Sequence, residues 1–337
     1  MAGTPVAPMT VLGAGSWGTA LAIQLARPGQ PTRLWGRDRS QLERLERERC
    51  NARYLPGAPF PAALAVVPEL TTALAGVRDV LIAVPSHAFR ATLEALRPHL
   101  RPESRIAWAS KGFETATGLL PHQVAREVLG AHAGAVLSGP TFAREVGLGL
   151  PTAMTVASHD ADFAQALLER LTGPRFRVYT QTDLLGVEVG GAVKNVIAIG
   201  AGIADGMGFG ANTRVALITR GLAEMLRLGL ALGAARETFM GLSGLGDLVL
   251  TCTDDQSRNR RLGLALGLGR TLAEAQREIG QVVEGVTAAG AVQRVAARLG
   301  VEMPICNEVY RVMHEGRPVR EAVQALMSRE ARAETER

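Results

Sequence analysis

The sequence predicts an α/β domain over residues 1–188, built on a doubly wound, mainly parallel sheet, followed by an all-helical domain over 189–337. Three observations predict it. A chain of 337 residues is about twice the size of a typical domain. Through the first half, short apolar runs alternate with helical patterns, the grammar of a parallel sheet covered on both faces. After about Val187 that alternation stops and long helical patterns take over.

In order, the strand-like runs are Met9–Leu12, Arg33–Gly36, Val80–Val84, Arg105–Ala109, Ala135–Leu137, Ala153–Ala157 and Phe176–Tyr179. Helices fill the gaps between them. Ser40 and Glu43 have the spacing of a capping box, and Ser158 precedes Asp160 and Asp162, acids suited to a first helical turn. The later helical patterns run over Gly191–Ala204, Thr213–Leu232, Ala273–Ile279, Thr287–Leu299 and Glu308–His314, with a second capping box at Thr271 and Glu274. From Arg329 the chain is a charged tail expected to fray.

Composition narrows the function. With 47% hydrophobic and 20% charged residues the chain holds enough apolar material for real cores. A net charge of +5 spread without basic runs gives no nucleic-acid footprint. Three cysteines without a CxxC pair, and histidines without HxxxH spacing, suggest neither a disulfide framework nor a metal site. No basic leader precedes the first strand and no uncharged apolar stretch reaches about 20 residues, so neither a signal peptide nor a membrane span is expected. A reducing cytoplasm fits this usage.

The first strand runs into Gly13-Ala14-Gly15-Ser16-Trp17-Gly18 and then a helical TALAIQLA. This is GxGxxG between strand and helix, the dinucleotide-binding turn of a Rossmann domain. Gly13 permits the turn, Gly15 lets the backbone approach a pyrophosphate, and Gly18 allows the helix to pack closely on the sheet. The second strand ends Trp35-Gly36-Arg37-Asp38. A guanidinium there suits a 2′-phosphate and favours NADP(H), while Asp38 beside it leaves NAD(H) open.

All but two of the 37 basic residues are arginine; the two are Lys111 and Lys194. Unlike arginine, a desolvated lysine can give up its proton. Lys111 follows an apolar strand, where ligands bind in open α/β sheets, and the loop Ser138-Gly139-Pro140-Thr141-Phe142-Ala143 does the same. Lys194 lies in an apolar helical pattern whose desolvation would bring its pKa toward the working range of an acid or base. Within residues 247–261, Arg258 with Ser257 and Asn259 offers a fork plus neutral donors suited to phosphate oxygens, and Asp247 is suited to orienting a lysine ammonium, Lys194 or Lys111, or to bonding a substrate hydroxyl.

The chain resembles the bacterial NAD(P)-dependent sn-glycerol-3-phosphate dehydrogenase family. The residues that carry the likeness are GAGSWGTALA (13–22), VPSHAF (84–89), SKGFE (110–114), SGPTFAREV (138–146), GGAVKNVIAIGAGIADGMGFGAN (190–212), LITRGLAEM (217–225), GLGDLVLTCTDDQSRNRR (244–261), GQVVEG (280–285) and RLGVEMPI (298–305). The resemblance implies reversible conversion of sn-glycerol 3-phosphate to dihydroxyacetone phosphate, supplying the backbone of phospholipids, and it is compatible with a homodimer. It implies cofactor contacts at Ser16, Trp17, Arg37, Tyr54, Ala143, Val282 and Glu284. Lys111 and Arg258 would touch both cofactor and substrate. Gly139, Thr141, Asn195, Asp247, Ser257 and Asn259 would hold the phosphorylated substrate, and Lys194 would be the proton acceptor. Two other readings stand beside it: a two-domain dehydrogenase of 3-hydroxy acids, whose carboxylate Arg258 would pair, and an NADPH-binding sensor without turnover.

Overall fold

The computed structural model describes residues 7–330. Among these described residues ten strands form: β1 (Met9–Leu12), β2 (Thr32–Trp35), β3 (Cys50–Asn51), β4 (Leu55–Pro59), β5 (Leu64–Val66), β6 (Asp79–Ile82), β7 (Arg105–Trp108), β8 (Ala133–Ser138), β9 (Thr152–Ser158) and β10 (Phe176–Gln181). Eight of them make one sheet in the order β10-β9-β8-β7-β6-β1-β2-β5. All neighbours run parallel except β8 and β9. The chain leaves β1 in one direction through β2 and β5, then returns to β6 on the other side of β1, so the winding reverses between β1 and β6.

Strand periodicity builds the two faces. Val11, Leu81, Ala107, Ala135 and Leu137 point into one apolar cluster with the helices Ser16–Ala26 and Ala161–Leu171. Their neighbours Leu12, Val80, Ile82, Ile106, Trp108 and Val136 point into a second cluster with Ser86–Leu96 and Pro121–Leu129. Strands buried on both faces read as continuous apolar runs, so the seven expected strands all appear within two residues at their starts and ends.

Three strands were not expected. β5 has only three residues before a proline, and β3 and β4 form a hairpin containing Pro56, Gly57 and Pro59, residues that ordinarily break strands. The first expected cap also moves. The helix is Arg39–Glu48 and Asp38 is its N-cap, accepting the Gln41 N–H at 3.0 Å, so Ser40 lies inside the first turn. Asp160 caps Ala161–Leu171 in the same way, while Thr271 and Glu274 do form a reciprocal capping box.

The chain divides into two compact units. The first runs to Gly191 and includes Gly233–Asp247; the second holds Ala192–Leu232 and the chain from Leu248. The expected division at 188/189 is linear, whereas segment 233–247 returns to the sheet unit. Asp183 draws it there, accepting the Thr238 hydroxyl at 2.7 Å and the Ala235 N–H at 3.0 Å. The charged tail expected to fray lies mostly outside the described residues, from 331 to 337.

The helix Leu184–Gly206 is long and apolar enough to cross a membrane by length and composition alone. Glu188 and Lys194 interrupt its uncharged stretches, and 89% of its most apolar window is buried inside the protein, as in a core helix. In the second unit it runs parallel to Arg258–Gly267 with their backbones in contact: an added Cβ at Gly202 would lie 2.0 Å from the Arg260 carbonyl oxygen, and one at Gly263 would lie 2.0 Å from that of Ile199.

Candidate active site

The GxGxxG turn sits where the winding of the sheet reverses. Gly13 follows β1 with φ of 124°, and an added Cβ there would stand 2.4 Å from the carbonyl oxygen of Ala83, just past β6. Open α/β sheets bind ligands at such a switch point. Gly18 is needed for packing, because a Cβ would meet the Gly13 carbonyl oxygen at 1.9 Å. Gly15 differs: a Cβ there would meet nothing within 4 Å. It precedes the helix Ser16–Ala26, whose N-terminus has no side-chain cap. Open space against uncapped N–H groups at a positive helix end fits a dinucleotide pyrophosphate.

The neighbouring expected contacts line up on the same unit. Ser16 and Trp17 open the helix, with the Trp17 ring packed against the core. Arg37 is exposed directly after β2 and Gly36, while the carboxylate of Asp38 is engaged as a helix cap. Tyr54 lies on the hairpin turn, its N–H given to Asn51 and its ring under the Arg53 guanidinium at 4.9 Å.

Lys111, past the end of β7, donates to Asp247 Oδ2 at 2.7 Å, and side-chain exposures of 14% and 2% make this a largely desolvated ion pair. Gly191 packs against the lysine stem, since a Cβ there would lie 3.4 Å from Lys111 Cγ and Cδ. Gly139, with φ of 146°, follows β8 and accepts the Thr141 hydroxyl at 3.3 Å. Ala143 begins the next helix, Ala143–Leu148, which packs on Ser16–Ala26 and is held at its far end by Arg27 bonds to the carbonyls of Val146 and Gly147.

In the second unit Lys194 is buried and donates to the Thr251 hydroxyl at 3.1 Å. The parallel crossing of the two helices sets Asn195 against Asn259, whose Nδ2 donates to Asn195 Oδ1 at 2.8 Å. Asn259 Oδ1 takes the Gly285 N–H at 2.9 Å, and Asn195 Nδ2 reaches Glu284 at 3.5 Å. Arg258 Nη1 donates to the Val282 carbonyl at 2.7 Å. Segments 257–259 and 282–285 therefore meet, joining Val282 and Glu284 to residues that spacing alone could not link to them. Ser257 is the N-cap of Arg258–Gly267, accepting the Arg260 N–H.

Among the described residues no group of three or more His, Cys, Asp and Glu could hold a metal ion, and Cys50, Cys252 and Cys306 form no disulfide.

Comparison with known proteins identifies the family. Residues 8–164 match the family described as NAD-dependent glycerol-3-phosphate dehydrogenase N-terminus, and residues 183–324 match its C-terminus. The chain belongs to the NAD-dependent glycerol-3-phosphate dehydrogenase family. It is 57% identical over 336 residues to the glycerol-3-phosphate dehydrogenase (NAD(P)+) of Edwardsiella ictaluri, covering 99% of each. To the enzyme of the same name from Escherichia coli O17:K52:H18 it is 57% identical over 325 residues, covering 96% of each. Its fold matches the crystal structure of glycerol-3-phosphate dehydrogenase from Coxiella burnetii with a TM-score of 0.93 and 49% identity, covering 96% of this chain and 99% of that one.

Within this dehydrogenase-family chain, sequence reasoning passed over three residues bonded to the expected site. Thr251 was within reach, because it follows Asp247 by four residues and so shares its helix face. Gln41 and Asn51, which both bond the Ala14 carbonyl, carry no signal in the sequence.

Proposed function

We propose that this chain reduces dihydroxyacetone phosphate to sn-glycerol 3-phosphate, and catalyses the reverse, with NADP(H) as its preferred coenzyme. In the cell this would supply glycerol 3-phosphate for phospholipid synthesis in the cytoplasm. Membership of the dehydrogenase family supports the reaction class. The observation that carries the residue assignment is Lys194, a lysine buried on a mostly apolar helix with its Nζ donating to the Thr251 hydroxyl.

The turn at Gly13, Gly15 and Gly18, with Ser16, Trp17 and Arg37, would hold the dinucleotide, and Tyr54, Ala143, Val282 and Glu284 would add contacts. When bound, the nicotinamide supplies or accepts the hydride. Lys194 Nζ gives a proton to the C2 oxygen of dihydroxyacetone phosphate during reduction and takes it back from the hydroxyl during oxidation. Thr251 fixes the direction of that ammonium. Arg258 with Asn259 and Asn195 holds the phosphate, the asparagine pair being pre-set by its bond to Gly285. Ser257 contributes through the helix end it caps, while Gly139 and Thr141 offer backbone and hydroxyl groups to the three-carbon chain. Lys111, neutralised by Asp247, presents a positioned donor rather than a free charge.

The test is direct. Purified protein is mixed with dihydroxyacetone phosphate and NADPH or NADH, and loss of reduced-nicotinamide absorbance is followed. Turnover is expected with both coenzymes, faster with NADPH at low concentration. Lys194→Met should lower kcat by about 10²–10⁴ while leaving coenzyme binding intact. Wild-type kcat in that variant would remove Lys194 from the chemistry, and no turnover with either coenzyme would end the enzymatic reading.

A further inference from the structure

The carbonyl of Ala14, between the first two glycines of the dinucleotide turn, is held by two side-chain amides. Gln41 Nε2 donates to it at 2.7 Å, and Asn51 Nδ2 at 3.1 Å. The two donors come from different elements, the helix Arg39–Glu48 and the hairpin strand β3. Each is itself fixed. The Gln41 N–H is bonded to the Asp38 carboxylate, and Asn51 is buried with its Nδ2 also bonded to Thr19 Oγ1 at 2.8 Å and its Oδ1 to the Tyr54 N–H at 3.2 Å.

This bonding has a consequence across the peptide plane. In a trans peptide the C=O of one residue and the N–H of the next point in opposite directions. Fixing the Ala14 carbonyl toward Gln41 and Asn51 therefore turns the Gly15 N–H the other way. Among the described residues no acceptor takes that N–H. The Gly15 carbonyl on the far side is fixed by the Thr19 N–H at 3.0 Å, but Gly15 has no Cβ to restrict its own φ, and a Cβ at this position would touch nothing within 4 Å. The Gly13 N–H and the Gly15 carbonyl have backbone partners in Trp35 and Thr19, and the two amides do the same for the peptide between Ala14 and Gly15.

We propose that Gln41 and Asn51 are positioning residues for the dinucleotide pyrophosphate, holding the Ala14–Gly15 peptide so that its N–H faces the phosphate oxygens. Gln41 also links two parts of the cofactor site. It is fastened to Asp38, beside Arg37, and reaches the pyrophosphate turn with its side chain. Asn51 carries the hairpin bearing Tyr54 to the same carbonyl. This inference rests on the cofactor reading above.

The experiment measures ligand binding by titration calorimetry with the unloaded protein. Gln41 is only half-buried, so Gln41→Met keeps the side-chain length and removes the donor with little risk to folding. The Kd for ADP-ribose, which carries the pyrophosphate, should rise about fivefold, as expected for one net hydrogen bond. The Kd for adenosine 2′-monophosphate, which lacks it, should stay unchanged. Gln41→Glu, which sets an acceptor against the Ala14 carbonyl, should weaken ADP-ribose further, and Asn51→Leu should repeat the pattern if it folds. An unchanged ADP-ribose Kd in Gln41→Met would overturn the proposal, as would equal losses on both ligands, which would place the effect at the Arg37 end. Gly15→Val separates this failure from a failure of the cofactor reading itself. If that variant binds ADP-ribose as wild type does, the dinucleotide does not lie on this turn at all.

Discussion

Arg37→Ser tests coenzyme choice at one atom group. Arg37 is exposed directly after β2, with a carboxylate beside it that already serves as a helix cap. A hydrogen bond to a charged group contributes about 1.5–3 kcal/mol, but an exposed ion contact loses much of that to solvent and salt. The lower end applies, which is about tenfold in affinity. KM for NADPH should therefore rise about tenfold, with kcat and KM for NADH within about twofold of wild type. Ionic strength gives a second readout. With a screening length of about 8 Å at physiological salt, added salt should raise the wild-type KM for NADPH and barely move that of the variant. Steady-state rates with each coenzyme at two salt concentrations measure both effects. Asp38→Ala is the companion: losing the cap costs about 1 kcal/mol of stability and should leave the coenzyme ratio alone. If Arg37→Ser shifts both coenzymes equally, or Asp38→Ala selectively weakens NADH, the 2′-phosphate reasoning is wrong.

Two further outcomes follow from the packing. Gly263→Ala puts a methyl 2.0 Å from the Ile199 carbonyl oxygen, backbone against backbone, so the helix crossing must open. Stability should fall by about 3 kcal/mol and Tm by roughly 5–10 °C, with KM for dihydroxyacetone phosphate raised as Asn195 and Asn259 separate. Gly210→Ala, where a Cβ meets nothing within 4 Å, should change neither, and similar Tm values for the two variants would refute the close-contact argument. The second outcome concerns pH. Burial disfavours the charged form of His122, but its bond to Glu188 and the field of that carboxylate outweigh this and raise its pKa above 6.5. A raised histidine stabilises fully below its unfolded value and loses that contribution as pH climbs through the folded one. The Tm difference between wild type and His122→Gln should thus be largest near pH 6 and shrink toward pH 9. A difference that grows with pH would contradict the pairing.

How much of this could be read from the chain depends on how local each cause is. The central strands were legible because burial on both faces writes them as unbroken apolar runs, and the GxGxxG turn because its glycines answer to contacts within one βαβ unit. Caps were legible as a type but not as a position. Asp38 and Ser40 are both good N-caps, and the choice of Asp38 starts the helix at Arg39, which brings Gln41 to the Ala14 carbonyl. The hairpin of β3 and β4 was hidden by its prolines, which an isolated two-stranded ribbon tolerates because its outer edges need no partner.

The residues expected to hold the phosphate show where sequence reading stops. Asn195 and Asn259 are 64 positions apart, and nothing in either neighbourhood names the other. What joins them is a helix crossing repeated at the same offset: Gly263 meets Ile199, and Gly267 meets Ile203, just as Asn259 meets Asn195. Each step of four residues is close to one helical turn, so two parallel helices in this register keep presenting the same pair of faces. The four-residue spacing of Gly202 and Gly206, and of Gly263 and Gly267, is visible in the sequence, but spacing alone does not say that these two pairs belong to one crossing. Once the crossing is known, the asparagine pair follows from it, and the bond from Gly285 to Asn259 brings Glu284 with it. Lys194 stands out in the chain for the opposite reason: it is one of two lysines among 37 basic residues, and the structure buries it with its Nζ donating to the Thr251 hydroxyl, an environment in which a lysine, unlike an arginine, can give up its proton.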